Sequence, residues 1–130
     1  MSKKHTATVI VNQQKVLLIQ RSEKEDSEPN KWCFPNETME DNETPEETVI
    51  RGVKEELNLN FQIHKFLFEH YFDDHITYVF IGDVEGELNP EVDEVNDYRW
   101  FSYKEPQLLK FAYSYNEVID KLFKLKLIKE

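Results

Sequence analysis

The sequence holds one cysteine, three glycines and five prolines in 130 residues, and no apolar run approaches the ~18–20 residues that cross a bilayer. A lone cysteine excludes an internal disulfide and a cysteine-built zinc cage. Flanked by Trp32 and Phe34, Cys33 reads as a buried structural thiol. So little glycine and proline excludes a fibrous or low-complexity chain. Positive charge is also scarce: 16 Lys and Arg stand against 26 Asp and Glu, a net charge of −10. A nucleic-acid polymer binder carries a basic footprint, so DNA and RNA are not expected partners. Small polyphosphates stay open, because bound cations can supply the positive charge that the protein lacks. The polar start Met1-Ser2-Lys3-Lys4 leads into a strand-like stretch rather than an apolar signal core. A cytoplasmic location without a membrane partner is expected.

What is present suits one core. Apolar residues make up 39% of the chain and aromatics 13%, and this length matches a single domain over residues 1–130. It is expected as a monomer or homodimer. His5 to Val11 and Lys15 to Gln20 read as strands joined at Asn12-Gln13-Gln14, an opening hairpin. Arg21 to Lys31 is a polar loop, Trp32 to Phe34 is short and apolar, and Pro35 to Asn42 is acidic and irregular. Phe61 to His70 and Ile76 to Val84 form two more strands about a turn at Asp73-Asp74. His70, Asp73, Asp74 and His75 there are read as ordinary turn residues rather than a metal cluster. An acidic loop precedes a short strand, Tyr98 to Ser102; Lys104 to Lys110 suggests a short helix. Asn116 to Leu127 closes the chain as an amphipathic helix. Strands alternating with helices imply helices packed on a mixed sheet.

The sharpest local signal is the helix expected from Pro45 to Leu57. Thr44 can cap it, Pro45 suits its first position, and Glu47 completes a capping box. Asn58 tolerates the left-handed conformation that ends a helix. At about 100° per residue, Val49, Ile50, Val53 and Leu57 gather on a core face. Thr48, Gly52, Glu55 and Glu56 gather on the other, with Glu47 and Arg51 at its edge. Adjacent carboxylates repel, and hard divalent cations relieve this; Mg²⁺ typically takes one or two protein carboxylates plus substrate phosphates. Arg51, four residues before Glu55, is placed to orient it. A merely solvated helix face is the alternative reading of the same charges.

The run from Trp32, W-C-F-P-N-E-T-M-E-D-N-E-T-P-E-E-T-V-I-R-G-V-K-E-E-L-N-L, resembles the Nudix box. That pattern is Gly, five residues, Glu, seven residues, then Arg-Glu-apolar-x-Glu-Glu-x-Gly-apolar. Glu43 falls on its isolated Glu, Arg51 on its Arg, Val53 on the apolar position, Glu55 and Glu56 on the paired acids, and Leu59 on the last apolar site. More loosely, the resemblance covers nearly the whole chain and is closest to short MutT-type members. It implies an α/β fold, the Nudix α/β/α sandwich with a mixed sheet between helices. It implies a metal-dependent hydrolase that splits a nucleoside triphosphate or another nucleoside diphosphate derivative, releasing a nucleoside monophosphate and pyrophosphate.

By the same resemblance, Mg²⁺ or Mn²⁺ is held by Glu55, Glu56, Glu94 and the Asn36 carbonyl, while Arg51 and Glu43 orient the catalytic carboxylates. Arg21, Phe34 and Asn116 are the substrate candidates. Each has a plainer reading: a surface arginine, a core aromatic, and a helix N-cap, for which Asn is well suited. Three positions depart from the pattern. Asn36-Glu37 replaces the usual Gly-Gly, Asn58 replaces the last Gly, and Gly52 replaces the Glu after the Arg. The last removes a carboxylate thought to bind metal or activate water, and Glu37, Glu40 or Glu43 is a candidate substitute. Two functions therefore remain open: an enzyme, weakened at Gly52, or a regulatory module that holds a nucleotide without turning it over.

Overall fold

The computed structural model describes residues 3–130. Met1 and Ser2, part of the polar start noted above, lie outside the described residues. The chain divides into two compact units, one of residues 3–10 and 35–91, the other of residues 11–34 and 92–130.

The first unit is a four-stranded mixed sheet with a helix. Its strands are β1 (Lys3–Val9), β5 (Asn36–Thr38), β6 (Asn60–Phe72) and β7 (His75–Glu85), ordered β5-β1-β7-β6. β1 runs parallel to β7, pairing His5 with Thr77 and Val9 with Ile81; β5 and β6 are antiparallel edge strands. Gly82 is required where β7 approaches β6, since a Cβ there would stand 2.0 Å from the Gln62 carbonyl oxygen. Helix α1 (Pro45–Leu57) packs on β1, β5 and β6. Its core contribution is Val49, Val53 and Leu57, buried along with Ala7, Val9, Phe61 and Val79 of the same unit.

The second unit holds β2 (Val11–Asn12), β3 (Lys15–Arg21), β4 (Trp32–Cys33) and β8 (Val95–Phe101), with β3 pairing all three others. A 3₁₀ turn at Glu105–Leu108 and helix α2 (Tyr115–Lys124) complete it. Val16 to Ile19 form a continuous buried run, and α2 contributes Tyr115, Val118, Ile119 and Leu122. Cys33 is fully buried, as its neighbours implied.

Two expectations are corrected. The opening hairpin is only Val11–Asn12 against Lys15–Val16; residues 3–9 instead join β7 in the other sheet. An apolar strand near a turn looks like a hairpin arm in sequence, and its true partner is remote along the chain. Pro35 to Asn42 is also not wholly irregular, since Asn36–Thr38 form the edge strand β5. Alternation of side chains is hard to see over three polar residues.

Candidate active site

The site grows from the start of α1. Thr44 and Glu47 form a reciprocal capping box: Thr44 Oγ1 accepts from the Glu47 N–H at 3.1 Å, and Glu47 Oε1 accepts from the Thr44 N–H at 3.0 Å. Asn58 ends the helix in the left-handed region at φ 60°. These caps set the azimuth at which α1 presents Thr48, Arg51, Gly52, Glu55 and Glu56.

Arg51 is the hub. Its Nε and Nη2 donate to both oxygens of Glu43, at 2.7 and 2.9 Å, the bidentate geometry that makes arginine–carboxylate pairs strong. Its Nη2 also donates to the Thr38 carbonyl at 3.0 Å. Its Nη1 reaches Glu55 Oε2 at 3.2 Å, Glu37 Oε2 at 3.5 Å and Glu40 Oε1 at 3.8 Å. Glu43 is locked further, accepting from the Thr48 hydroxyl at 2.8 Å and the Glu40 N–H at 2.9 Å. The bond from Arg51, then that from Glu40, hold the Glu43 carboxyl down at about 2, and Glu43 in turn raises the Arg51 guanidinium. Glu37 moves the other way: burial raises its pKa, against the N–H bond from Thr38 and the Arg51 charge.

The outward-facing backbone of the β5 edge is met by side chains of α1. The Asn36 N–H donates to Glu56 Oε1 at 3.3 Å, and the Thr38 carbonyl takes Arg51 as above. An exposed strand edge is thereby covered, and in return it holds two of the helix's candidate site side chains. The helical wheel needs correction here. Thr48, Gly52 and Glu56 are buried under this edge, whereas Ile50, assigned to the core, is 44% exposed. The polar stripe is a second packed face, not a solvated one; only Glu55 of the pair is exposed.

The structure thus joins Glu43, Arg51 and Glu55 through one guanidinium, and ties Glu56 to Asn36 on the strand that Arg51 also meets. Sequence reasoning did not single out Thr48 or Thr38. Thr48 was findable, one turn before Arg51 on the same stripe; Thr38 acts through its backbone, which no side-chain pattern reports.

The other four candidates belong to the second unit. Glu94 is exposed in the turn before β8, its carbonyl accepting from the Ser22 N–H at 3.0 Å. Arg21 is half-buried; it donates to the Ser27 carbonyl, pairs with Glu25 at 3.4 Å and lies over the Tyr113 ring at 5.3 Å. Phe34 is a correction. It is 0% exposed and meets Tyr115 edge to face at 5.6 Å, so it offers no free face to a base. Asn116 is not the N-cap of α2, a place taken by Ser114; it is exposed in the first turn, beside a small cleft with Phe111, Gln107 and Asp120.

The donor chemistry of the first unit suits a hard divalent cation, since its side-chain donors are carboxylate oxygens. Among the described residues no three His, Cys, Asp or Glu side chains converge as a ready-made cage. One or two carboxylates suffice for Mg²⁺ when phosphate oxygens supply the remainder, so the residues present fit such an ion.

A NUDIX domain model matches residues 1–122. The chain belongs to the Nudix family. Similar solved structures include a MutT Nudix hydrolase from Burkholderia pseudomallei (TM-score 0.80, 21% identity, covering 93% of this chain and 97% of that one). An ADP-ribose pyrophosphatase from Streptococcus suis 89-1591 is also similar (TM-score 0.74, 20% identity, 98% and 90%). So is a MutT protein from Methanosarcina mazei Go1 (TM-score 0.78, 18% identity, 95% and 94%). No curated protein sequence matches this Nudix chain. At these identities the likeness shows the fold, which is the expected Nudix α/β/α class. No helix among the described residues is long and apolar enough to cross a membrane.

Proposed function

We propose that this Nudix protein is a metal-dependent pyrophosphohydrolase acting on a nucleoside triphosphate or another nucleoside diphosphate derivative. One observation carries the reading: Arg51 gathers Glu43 and Glu55, while Glu56 is tied to the adjoining strand through Asn36. A solvated charge run has no reason to be locked this way. Family membership supports hydrolysis of a small nucleotide.

Glu55 and Glu56 would hold Mg²⁺ or Mn²⁺, with the Asn36 carbonyl as a backbone ligand in the same unit. When bound, the ion supplies positive charge against the phosphate oxygens and acidifies a water. The protein's own part is orientation. Arg51 fixes the Glu55 carboxylate and is itself fixed by Glu43, whose low pKa keeps it charged at neutral pH. The Asn36 N–H aims Glu56. In the second unit, Glu94 is proposed as a further metal ligand. Arg21 and Asn116 are proposed for substrate, and the Asn116 amide can both donate to and accept from a base. Nucleoside monophosphate and pyrophosphate are the proposed products.

The binding-module reading draws on one observation, the absence of a carboxylate at Gly52. A panel of canonical and oxidised nucleotides with Mg²⁺ or Mn²⁺, read by pyrophosphate release and by thermal shift, separates the two. Release supports the enzyme. Thermal shifts without release from any member support the module, and neither response rejects both.

A further inference from the structure

The glycine in the middle of α1 has a cause outside the helix. A Cβ built on Gly52 would lie 2.6 Å from Glu37 Cβ and 3.2 Å from Glu37 Cγ. The nearer atom is the root of the side chain, not its flexible tip, so it cannot swing aside without moving β5. The stem of Glu37 therefore occupies the space that a side chain at position 52 would need. In the box pattern the roles are opposite: the five-residue spacing before Glu43 puts Gly at position 37, and Glu stands at position 52. Glycine and glutamate have changed places between strand and helix.

The exchange returns a carboxylate to the same neighbourhood. Glu37 Oε2 lies 3.5 Å from Arg51 Nη1, the nitrogen that also takes Glu55 Oε2 at 3.2 Å. The residue before Glu37 donates its N–H to Glu56 Oε1 at 3.3 Å. Glu37 thus shares a guanidinium nitrogen with Glu55 and follows the residue whose N–H holds Glu56. Its Oε1 is held by the Thr38 N–H at 2.9 Å, and the side chain is 26% exposed, open to solvent on one side.

We propose that Glu37 supplies from β5 the cation-binding carboxylate that Gly52 lacks, and that it joins Glu55 and Glu56 in the reaction proposed above at an ion that substrate phosphates help to hold, since these carboxylates do not form a cage by themselves. The proposal rests on that reading. It also means that Gly52 is a steric requirement of this acidic site rather than a lesion in it.

The test uses the intact chain in four forms: wild type, Glu37→Gln, Gly52→Glu, and the double variant Glu37→Gly with Gly52→Glu. Mn²⁺ uptake is measured by calorimetry with and without nucleotide, turnover by pyrophosphate release, and folding by thermal melt. Glu37→Gln keeps the size and an acceptor for Thr38. It is expected to melt like wild type while losing several-fold in Mn²⁺ affinity and roughly tenfold or more in rate. Gly52→Glu alone is expected to melt lower, because two side chains contest one space. The double variant is expected to recover the melting temperature and the Mn²⁺ affinity together.

Wild-type binding and turnover that Glu37→Gln leaves unchanged would overturn the role of Glu37 alone. A double variant that folds but binds no more Mn²⁺ than Glu37→Gln does the same. Wild type that takes up no Mn²⁺ in any state overturns this inference and the functional reading with it.

Discussion

At the scale of single residues, Arg51 explains more of the site than any carboxylate does. Its planar fork meets Glu43 with two nitrogens and turns its third toward Glu55 and Glu37. Lysine, a single-point donor, cannot reproduce that geometry. Arg51→Lys and Arg51→Met are both expected to lower kcat/KM by about 10²-fold, since misplacing reacting groups by ~1 Å costs that much. Steady-state pyrophosphate release measures it; a lysine variant retaining near wild-type turnover would remove Arg51 from the centre of the argument. The partnership of Arg51 with Glu55 was legible from helical spacing; that with Glu43 was not, since the box marks both residues without pairing them. The fate of Phe34 was not, because an aromatic beside a loop looks the same in sequence whether its ring faces the interior or a ligand.

At the scale of elements, α1 is defined by its ends. Thr44→Ala removes one half of the capping box and is expected to cost ~1 kcal/mol. For a chain of this size that lowers the melting temperature by about 4 °C. Asn58 sits at φ 60° and its side-chain amide donates to the Asn89 carbonyl. Asn58→Ala keeps a Cβ in the left-handed region, which costs about 1–2 kcal/mol, and removes the polar side chain that lets Asn tolerate it. Asn58→Gly removes that backbone cost and loses only the side-chain bond, so it should melt nearer to wild type than Asn58→Ala. Thermal denaturation of the three proteins ranks them, and equal melting would show that the helix end is not held by its dihedral angle. Strand β5 is the contrasting element. It is three residues long and polar, and it exists because β1 pairs it on one side and α1 side chains meet it on the other.

At the scale of the whole molecule, acid should act in two consecutive windows. His5 stacks on His75 and shares a ring-nitrogen hydrogen bond with it at 2.7 Å. Burial, then the His75 and Lys3 charges, lower His5 to about 4 from an ordinary 6.5, with Asp74 opposing. Between those values the unfolded chain takes up a proton that the folded chain refuses, so stability falls as pH drops from 6.5 toward 4. Glu43 has a folded value of about 2 against an ordinary 4.5, so its contribution is lost as pH falls from 4.5 toward 2. Denaturant titrations across pH should show both slopes. His5→Gln should flatten the upper window and Glu43→Gln the lower; a variant that leaves its own window unchanged removes that group as the cause. The net charge of −10 predicts no retardation of DNA or RNA in a gel-shift assay at neutral pH. The amino-acid sequence alone determined the extent and caps of α1, the polarity of its acidic stripe and the sheet-and-helix class. Those features depend on side chains within a few residues of each other and on regular periods. Only tertiary structure decided that β1 leaves its apparent hairpin for β7, that Thr48, Gly52 and Glu56 are buried, and that Glu37 fills the space beside Gly52. Each of these depends on contact between segments distant along the chain, and no local spacing encodes which of them will meet.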